Sequence, residues 1–232
     1  MNLIQKIENL IFPEICLLCG EPLDKKEFHG VCDICFSKFQ TPMEPLCPLC
    51  GGENDTFLDV CKECIRHDRG WKKAYTIFKY KKGARKAIQQ YKYSAQTQWL
   101  PFFVKSFFTR YPNFQKDIDV IVPIPLHWLK KLLRGFNQSE LFCKIISRKA
   151  KIPCKNLLKR VKFTRKQASL SADERQKNVK KAFASKKQHI IIGKRILLVD
   201  DVFTTGATLQ QATEILINAG AESVSVLTLA RD

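Results

Sequence analysis

The chain has 232 residues, enough for one sizeable domain and a small second one. Its 45% hydrophobic and 27% charged content is ordinary for a folded globular protein, and no stretch reaches the roughly 18 apolar residues needed to span a bilayer. The net charge of +18 is unevenly spread: residues 1–70 carry 7 Lys/Arg against 12 Asp/Glu, whereas 71–232 carry 33 against 10, so the second part alone is expected to attract polyanions.

The start, MNLIQKIENLIF, lacks a basic segment feeding an uninterrupted apolar core, which argues against a signal peptide. Leu3, Ile7, Leu10 and Ile11 fall at helical spacing, so a short amphipathic helix is expected there, docked on the neighbouring module or a partner. The expected location is the cytoplasm, with peripheral contact at the inner face of the membrane as the alternative.

Eight of the ten cysteines form four CxxC pairs: Cys16/Cys19, Cys32/Cys35, Cys47/Cys50 and Cys61/Cys64. Each CxxC turn aims two thiolates at one point, and two turns complete the tetrahedron that Zn2+ prefers. Two structural zinc sites are therefore expected, and a disulfide framework is disfavoured in a chain without an export signal. The first and third pairs read CxxCG while the second and fourth lack the glycine. This alternation pairs first with second and third with fourth, with a cross-braced arrangement as the alternative. Sulfur fills every ligand position, which leaves no place for a catalytic water. His29 and His67 are read as surface residues, and Cys143 and Cys154 as ordinary core or near-surface thiols.

Beyond Gly70 the composition turns aromatic and basic. AYTIFKY (74–80) has strand character, and GARKAIQQYKYSAQ and QTQWLPFFVKSFFTRYP read as helices, the second interrupted or started near Pro101. DVIVPIP (119–125) is a buried-strand run. NQSELFCKIISRKAK follows as a helix with Asn137 as N-cap and Glu140 at the capping-box position. KNLLKRVK is a short strand candidate, and the polar segment to Phe183 reads as a long mobile loop. HIIIGKRILLVDD supplies two strand runs separated by Gly193 and Lys194. TTGATLQQATEILINAGA is a helix turning Ala212, Ile215, Leu216 and Ala219 to the sheet, and SVSVLTLA is the last strand. This alternation predicts a parallel α/β sheet with flanking helices, behind a small zinc-ribbon domain; the boundary is placed between residues 70 and 71.

In such sheets ligands sit at the carboxyl ends of the strands. Asp200 and Asp201 end the ILLV run, where vicinal carboxylates suit two jobs: accepting hydrogen bonds from a pair of sugar hydroxyls, and holding Mg2+. The next residues open a helix; Gly206 permits close backbone approach, and Thr204, Thr205 and Thr208 add hydroxyl donors to the free N–H groups. A diol on one side and a monophosphate on the other describe a ribose 5-phosphate. The lysine of a Walker loop is absent.

LLVDDVFTTGATL resembles the phosphoribosyl pyrophosphate (PRPP) binding motif of type I phosphoribosyltransferases. With VIVPIPLHWLKKLLRGFNQ upstream, TRKQASLSADERQKNVKKAF between and the CxxC pairs in front, nearly the whole chain is similar to the ComF family of competence proteins. The resemblance implies that Asp200 and Asp201 hold the ribose hydroxyls, with Mg2+ accompanying PRPP. It implies also that Thr204, Thr205, Gly206, Ala207 and Thr208 hold the 5-phosphate. Pro123, Ile124, Pro125 and Leu126 correspond to the pyrophosphate loop, with Arg134 placed to meet phosphate charge. Arg165, Lys166 and Arg175 fall in the segment resembling the flexible catalytic loop. His127 is read as a surface residue.

Residues 71–117 would have to supply the hood that recognises an acceptor base, and no base-reading constellation stands out there. The same stretch interleaves Trp71, Tyr75, Phe78, Tyr80, Tyr91, Tyr93 and Trp99 with Lys72, Lys73, Lys79, Lys81, Lys82, Arg85, Lys86 and Lys92. Stacking aromatics among cations suit single-stranded nucleic acid, though a helix needs an inner face, so two or three exposed rings at most are expected. The leading expectation is an accessory protein of natural transformation that takes incoming single-stranded DNA, with PRPP as ligand or regulator. An active phosphoribosyltransferase with an unidentified acceptor is the alternative. A zinc-ribbon adaptor for a DNA-uptake helicase or inner-membrane channel is a third, weaker one.

Overall fold

Among the described residues the strands in chain order are β1 (Lys73–Lys79), β2 (Val120–Pro123), β3 (Leu158–Arg160), β4 (Phe183–Ser185), β5 (Arg195–Phe203) and β6 (Ser223–Arg231). They come from a computed structural model that describes residues 14–23, 29–67, 69–93, 96–129, 132, 135–161 and 182–232. The expectations placed on residues 1–12, Arg134, Arg165, Lys166 and Arg175 lie outside the described residues. The helices are α1 (Asp33–Phe36), α2 (Lys62–Ile65), α3 (Lys82–Tyr93), α4 (Trp99–Arg110), α5 (Gln138–Ala150), α6 (Gln188–Ile191) and α7 (Ala207–Asn218).

β1, β6, β5 and β2 form one parallel sheet in that order, and β3 pairs antiparallel with β4. Sequence alternation sorts the sheet residues into two cores, since successive side chains of a strand point to opposite faces. Leu197 and Val199 pack with Tyr91, Phe102, Phe107 and Phe142 of α3, α4 and α5. Ile196 and Leu198 pack with Leu209, Ala212 and Leu216 of α7. A sheet covered on both faces explains why the β5 and β6 segments read as nearly continuous apolar runs. Asn137 caps α5 as expected: its side chain accepts from the Ser139 amide at 3.2 Å.

The cysteine-rich part shares these cores. Cys16, Val31, Cys35 and Phe39 join the first, with Phe39 4.6 Å from Phe102 between ring centroids. All four of Cys47, Cys50, Cys61 and Cys64 join the second, beside Trp71 and Phe203. The same part covers the sheet edge at β1. Pro48 and Gln40 carbonyls accept from the Ala74 and Lys79 amides at 2.6 and 2.7 Å. The Tyr111 hydroxyl serves both backbone polar groups of Thr76, accepting from its amide at 3.2 Å and donating to its carbonyl at 2.8 Å. An edge strand otherwise presents unpaired groups that recruit other chains, and here they are paired within the molecule. At the opposite edge the 153–155 segment pairs with Ile121.

Two local expectations need correction. His189–Ile192 is not a strand: Gln188–Ile191 makes one helical turn that buries Ile191, and only Arg195–Phe203 is extended. A four-residue apolar run is ambiguous between the two states. Lys187 (φ 52°) and Gly193 (φ 66°) close the turn at both ends. The end of the presumed loop, Phe183–Ser185, is a strand paired with Leu158–Arg160. Cys143 is buried and Cys154 half-buried, as expected; they lie side by side, the Cys154 thiol lowered by its hydrogen bond with Cys143 against the effect of burial. Among the described residues no helix is long and apolar enough to cross a membrane.

Candidate ligand site and metal centres

The cysteines gather as Cys16, Cys19, Cys32, Cys35 and as Cys47, Cys50, Cys61, Cys64, the four sulfurs of each group within 4.8 Å of one another. First therefore meets second and third meets fourth, as the glycine alternation implied. A tetrahedron with zinc–sulfur bonds of about 2.3 Å has edges of about 3.8 Å. Cys19 and Cys32 sulfurs lie 3.9 Å apart, and those of Cys50 and Cys61 3.8 Å. Backbone amides of Cys32 and Cys61 point at the sulfurs of Cys16 and Cys47 at 3.4 and 3.5 Å, as donors to thiolate do. Both donor sets fit structural zinc and leave no open coordination position. His29 and His67 are exposed, as expected.

Asp200 and Asp201 sit near the carboxyl end of β5, followed by Thr204, Thr205 and Gly206, with Ala207 and Thr208 opening α7. Gly206 has φ 80°, and a Cβ there would lie 2.8 Å from Arg69 Nη1 and 2.9 Å from the Phe203 ring, so only glycine fits. β2 runs beside β5 with Pro123 opposite Val199, and the Ile124 amide donates to the Val199 carbonyl at 2.9 Å. The segment from Pro123 to Leu126 thus leaves the sheet alongside the two carboxylates. Asn137 Nδ2 donates to the Ile124 carbonyl at 3.0 Å, so the residue that caps α5 also ties down this segment.

The carboxylates are not free in solution. Lys92, on the last turn of α3, places Nζ 2.8 Å from Asp201 Oδ1, with both side chains largely buried. Burial works against the Lys92 charge, but the Asp201 carboxylate outweighs it and raises the Lys92 pKa. Gln138 fixes that turn, its Nε2 donating to the Lys92 carbonyl at 3.1 Å and its carbonyl accepting from the Tyr91 hydroxyl at 2.7 Å. Burial and the neighbouring Asp201 push Asp200 up to about 7, against the pull of Lys92 and of Arg160 on β3. An Asp whose pKa is raised contributes stability that is full below the ordinary value of about 4 and is lost as pH rises through 7. Through this group the stability of the ligand-free protein should fall between pH 5 and pH 8. Asp200→Asn should flatten that part of the slope in paired thermal melts.

The expected residues hold unequal positions. Pro123 and Ile124 are buried, Pro125 and Leu126 half-buried. His127 is not a surface residue: it is 6% exposed, and its Nδ1 accepts from the Leu129 amide at 3.3 Å. Of the proposed stacking aromatics, Trp71, Tyr75, Phe78, Tyr91 and Trp99 are core and Tyr80 is half-buried, while Tyr93 is 63% exposed. Packing against the sheet took the rings that periodicity could not sort. Trp128, just past the Pro123–Leu126 segment, is 65% exposed and carried no signal in the sequence. Lys92 is committed to Asp201, and Lys79 to Glu53 at 2.6 Å. Lys72, Lys73, Lys81, Lys82 and Arg85 remain exposed. No sequence motif marks Arg69, whose Nη1 donates to the Thr205 carbonyl at 2.6 Å from a site 2% exposed.

A diacid and a glycine-centred loop at the end of a parallel strand, with two four-thiolate clusters in front, define a phosphoribosyltransferase-like protein with a double zinc ribbon. The family model described as "Phosphoribosyl transferase domain" matches residues 132–232, and "Double zinc ribbon domain" matches residues 7–65. Competence protein F of Haemophilus influenzae is 31% identical, covering 88% of this chain and 91% of that protein. DNA utilization protein YhgH of Escherichia coli K12 is 30% identical, covering 96% and 99%. Competence protein ComFC of Bacillus subtilis is 28% identical, covering 94% and 95%. The chain belongs to the ComF family of competence proteins.

Proposed function

We propose that this chain binds PRPP with Mg2+ at the 200–208 segment and handles incoming single-stranded DNA during natural transformation. The observation that carries the first half is the placement of Asp200, Asp201 and the Thr204–Thr208 loop at the end of β5, beside the segment that leaves β2 at Pro123. The residues fit the ligand. Asp200 and Asp201 would accept from the ribose hydroxyls, and the backbone amides and hydroxyls of the 204–208 loop would hold the 5-phosphate with the helix dipole behind them. Gly206 keeps side-chain bulk out of that approach. Mg2+ would screen the charge between the pyrophosphate and the acidic pair.

The second half draws on the names of the relatives and on the charge of residues 71–232. Exposed Lys82 and Arg85 lie on α3, with exposed Lys81 just before it and exposed Tyr93 at its end, a cationic track that finishes on a ring. Lys92 on the same helix reaches Asp201, so one element serves both halves. The cytoplasm is the compartment where both ligands would meet the protein, and an uptake helicase or membrane channel would be its neighbour there.

Calorimetric titration of PRPP with Mg2+ tests the first half. Asp200→Asn with Asp201→Asn removes two charge-assisted acceptors and should lower affinity by about a hundredfold or more, since such bonds contribute about 1.5–3 kcal/mol each. The same variant should bind a labelled single strand within a factor of about two of wild type, because phosphate contacts elsewhere carry that affinity. A double variant that still binds PRPP would refute the site.

A further inference from the structure

Arg69 lies between the last CxxC pair and β1, and its guanidinium is enclosed. It sits 5.4 Å from the Phe203 ring centre and 5.8 Å from that of Trp71. Nη1 donates to the Thr205 carbonyl at 2.6 Å. Nη2 has only Glu63 Oε1 at 3.7 Å, outside hydrogen-bond range, and Nε has no hydrogen-bond partner among the described residues. Glu63 is itself half exposed and shared, its Oε2 accepting from Arg231 Nη2 at 2.9 Å. Arg231 Nη1 in turn donates to the Cys50 sulfur, and its guanidinium stacks 5.5 Å from Phe203 on β5. A chain of contacts therefore runs from Cys50 through Arg231, Glu63 and Arg69 to the loop between β5 and α7.

Two physical consequences follow. In a trans peptide the carbonyl and the next amide point in opposite directions. By holding the Thr205 carbonyl, Arg69 turns the Gly206 amide away from itself. A desolvated cation with one distant, partly hydrated carboxylate is also under-compensated, and an anion on the far side of the loop would complete its pairing.

We infer that Arg69 is a positioning residue linking the second cysteine cluster to the Thr204–Thr208 loop, so that zinc held at Cys47, Cys50, Cys61 and Cys64 and a phosphate-bearing ligand at the loop stabilise one another. This inference rests on the phosphate site proposed above. Coupling between two sites is reciprocal: if zinc supports ligand binding, ligand must slow the loss of zinc.

The test uses the full zinc-loaded chain. PRPP affinity with Mg2+ is measured by calorimetry for wild type, Arg69→Met and Glu63→Gln, and zinc release to a chromogenic chelator is followed with and without PRPP. The slower release phase reports the more buried second cluster. PRPP should slow that phase in wild type about fivefold or more, the lower end of ordinary coupling. Arg69→Met and Glu63→Gln should abolish the slowing, and Arg69→Met should bind PRPP about tenfold more weakly. A purely structural role would lower the melting temperature without removing the effect of PRPP on zinc release. Should Arg69→Met fail to retain zinc, Glu63→Gln decides, because its half-exposed side chain can be changed without opening the core. If wild type binds PRPP but PRPP leaves zinc release unchanged, this inference falls and the phosphate site stands. If wild type does not bind PRPP, both fall.

Discussion

Cys50→Ser should unfold the whole chain and not only its cysteine-rich part. Cys47 and Cys50 are completely buried, and the four sulfurs of their cluster share an apolar core with Trp71, Leu198, Phe203 and Leu209. The Cys50 carbonyl also accepts from Thr76 Oγ1 at 3.3 Å, which ties the cluster to the middle of β1. Structural zinc contributes about 10–16 kcal/mol of apparent binding energy in zinc-finger peptides. A typical domain is stable by only about 5–15 kcal/mol. Weakening the site by even a fraction of its energy should then drive the global transition. Far-ultraviolet circular dichroism, which follows the sheet and helices, and near-ultraviolet signals from Trp71 and Trp99 should fall together in one melt at much lower temperature. Cys19→Ser should do less harm, because Cys19 is exposed at the rim of the first cluster. A Cys50→Ser protein that loses zinc yet keeps an unchanged second transition would show that the two parts fold independently.

The second large effect belongs to Lys92. Lys92→Met removes the only cation within ion-pair distance of Asp201 among the described residues and leaves two adjacent carboxylates largely out of water. Removing one partner of a buried pair costs about 3–5 kcal/mol, and the partial exposure here places the expectation at the lower end. The sign with pH is fixed. Lys92 pulls the Asp200 pKa down, so its loss must raise that pKa further above about 7. The stability lost as pH rises then extends to higher pH, and the variant should be worse relative to wild type at pH 8 than at pH 5. Adding Asp201→Asn should recover much of the loss at pH 5, where Asp200 lies below its pKa of about 7 and is neutral, and less of it at pH 8. Denaturant melts of the single and double variants at both pH values measure this directly. Equal destabilisation at pH 5 and pH 8 would mean that packing of the lysine stem, and not its charge, is what matters.

Both cases mark the boundary of what could be read from residue order. CxxC spacing is a local property, so the donor sets, and through the CxxCG alternation their pairing, were legible. LLVDDVFTTGATL was legible for the same reason: strand, acids, glycine and helix start are contiguous, and backbone connectivity alone brings them together. The Asn137 cap follows equally from a three-residue spacing. Lys92 looked like one more cation on a basic helix, and only the docking of α3 against the end of β5 made it the partner of Asp201. Trp71, Tyr91 and Trp99 had the composition of a stacking surface, but helix and sheet packing placed them inside. Arg69 has no motif at all; its role exists because the ribbon lies against the β5–α7 loop.

The amino-acid sequence by itself determined the parallel α/β class, the four-thiolate donor sets and the acidic, glycine-centred loop, because each is set by neighbours along the chain and by the period of the side chains. Only the tertiary structure decided that the second cysteine cluster is part of the main core, that Lys92 answers Asp201 and that Arg69 stands behind Thr205. Those are meetings of residues from distant segments, fixed by which surfaces bury the most apolar area together, and no local pattern encodes them.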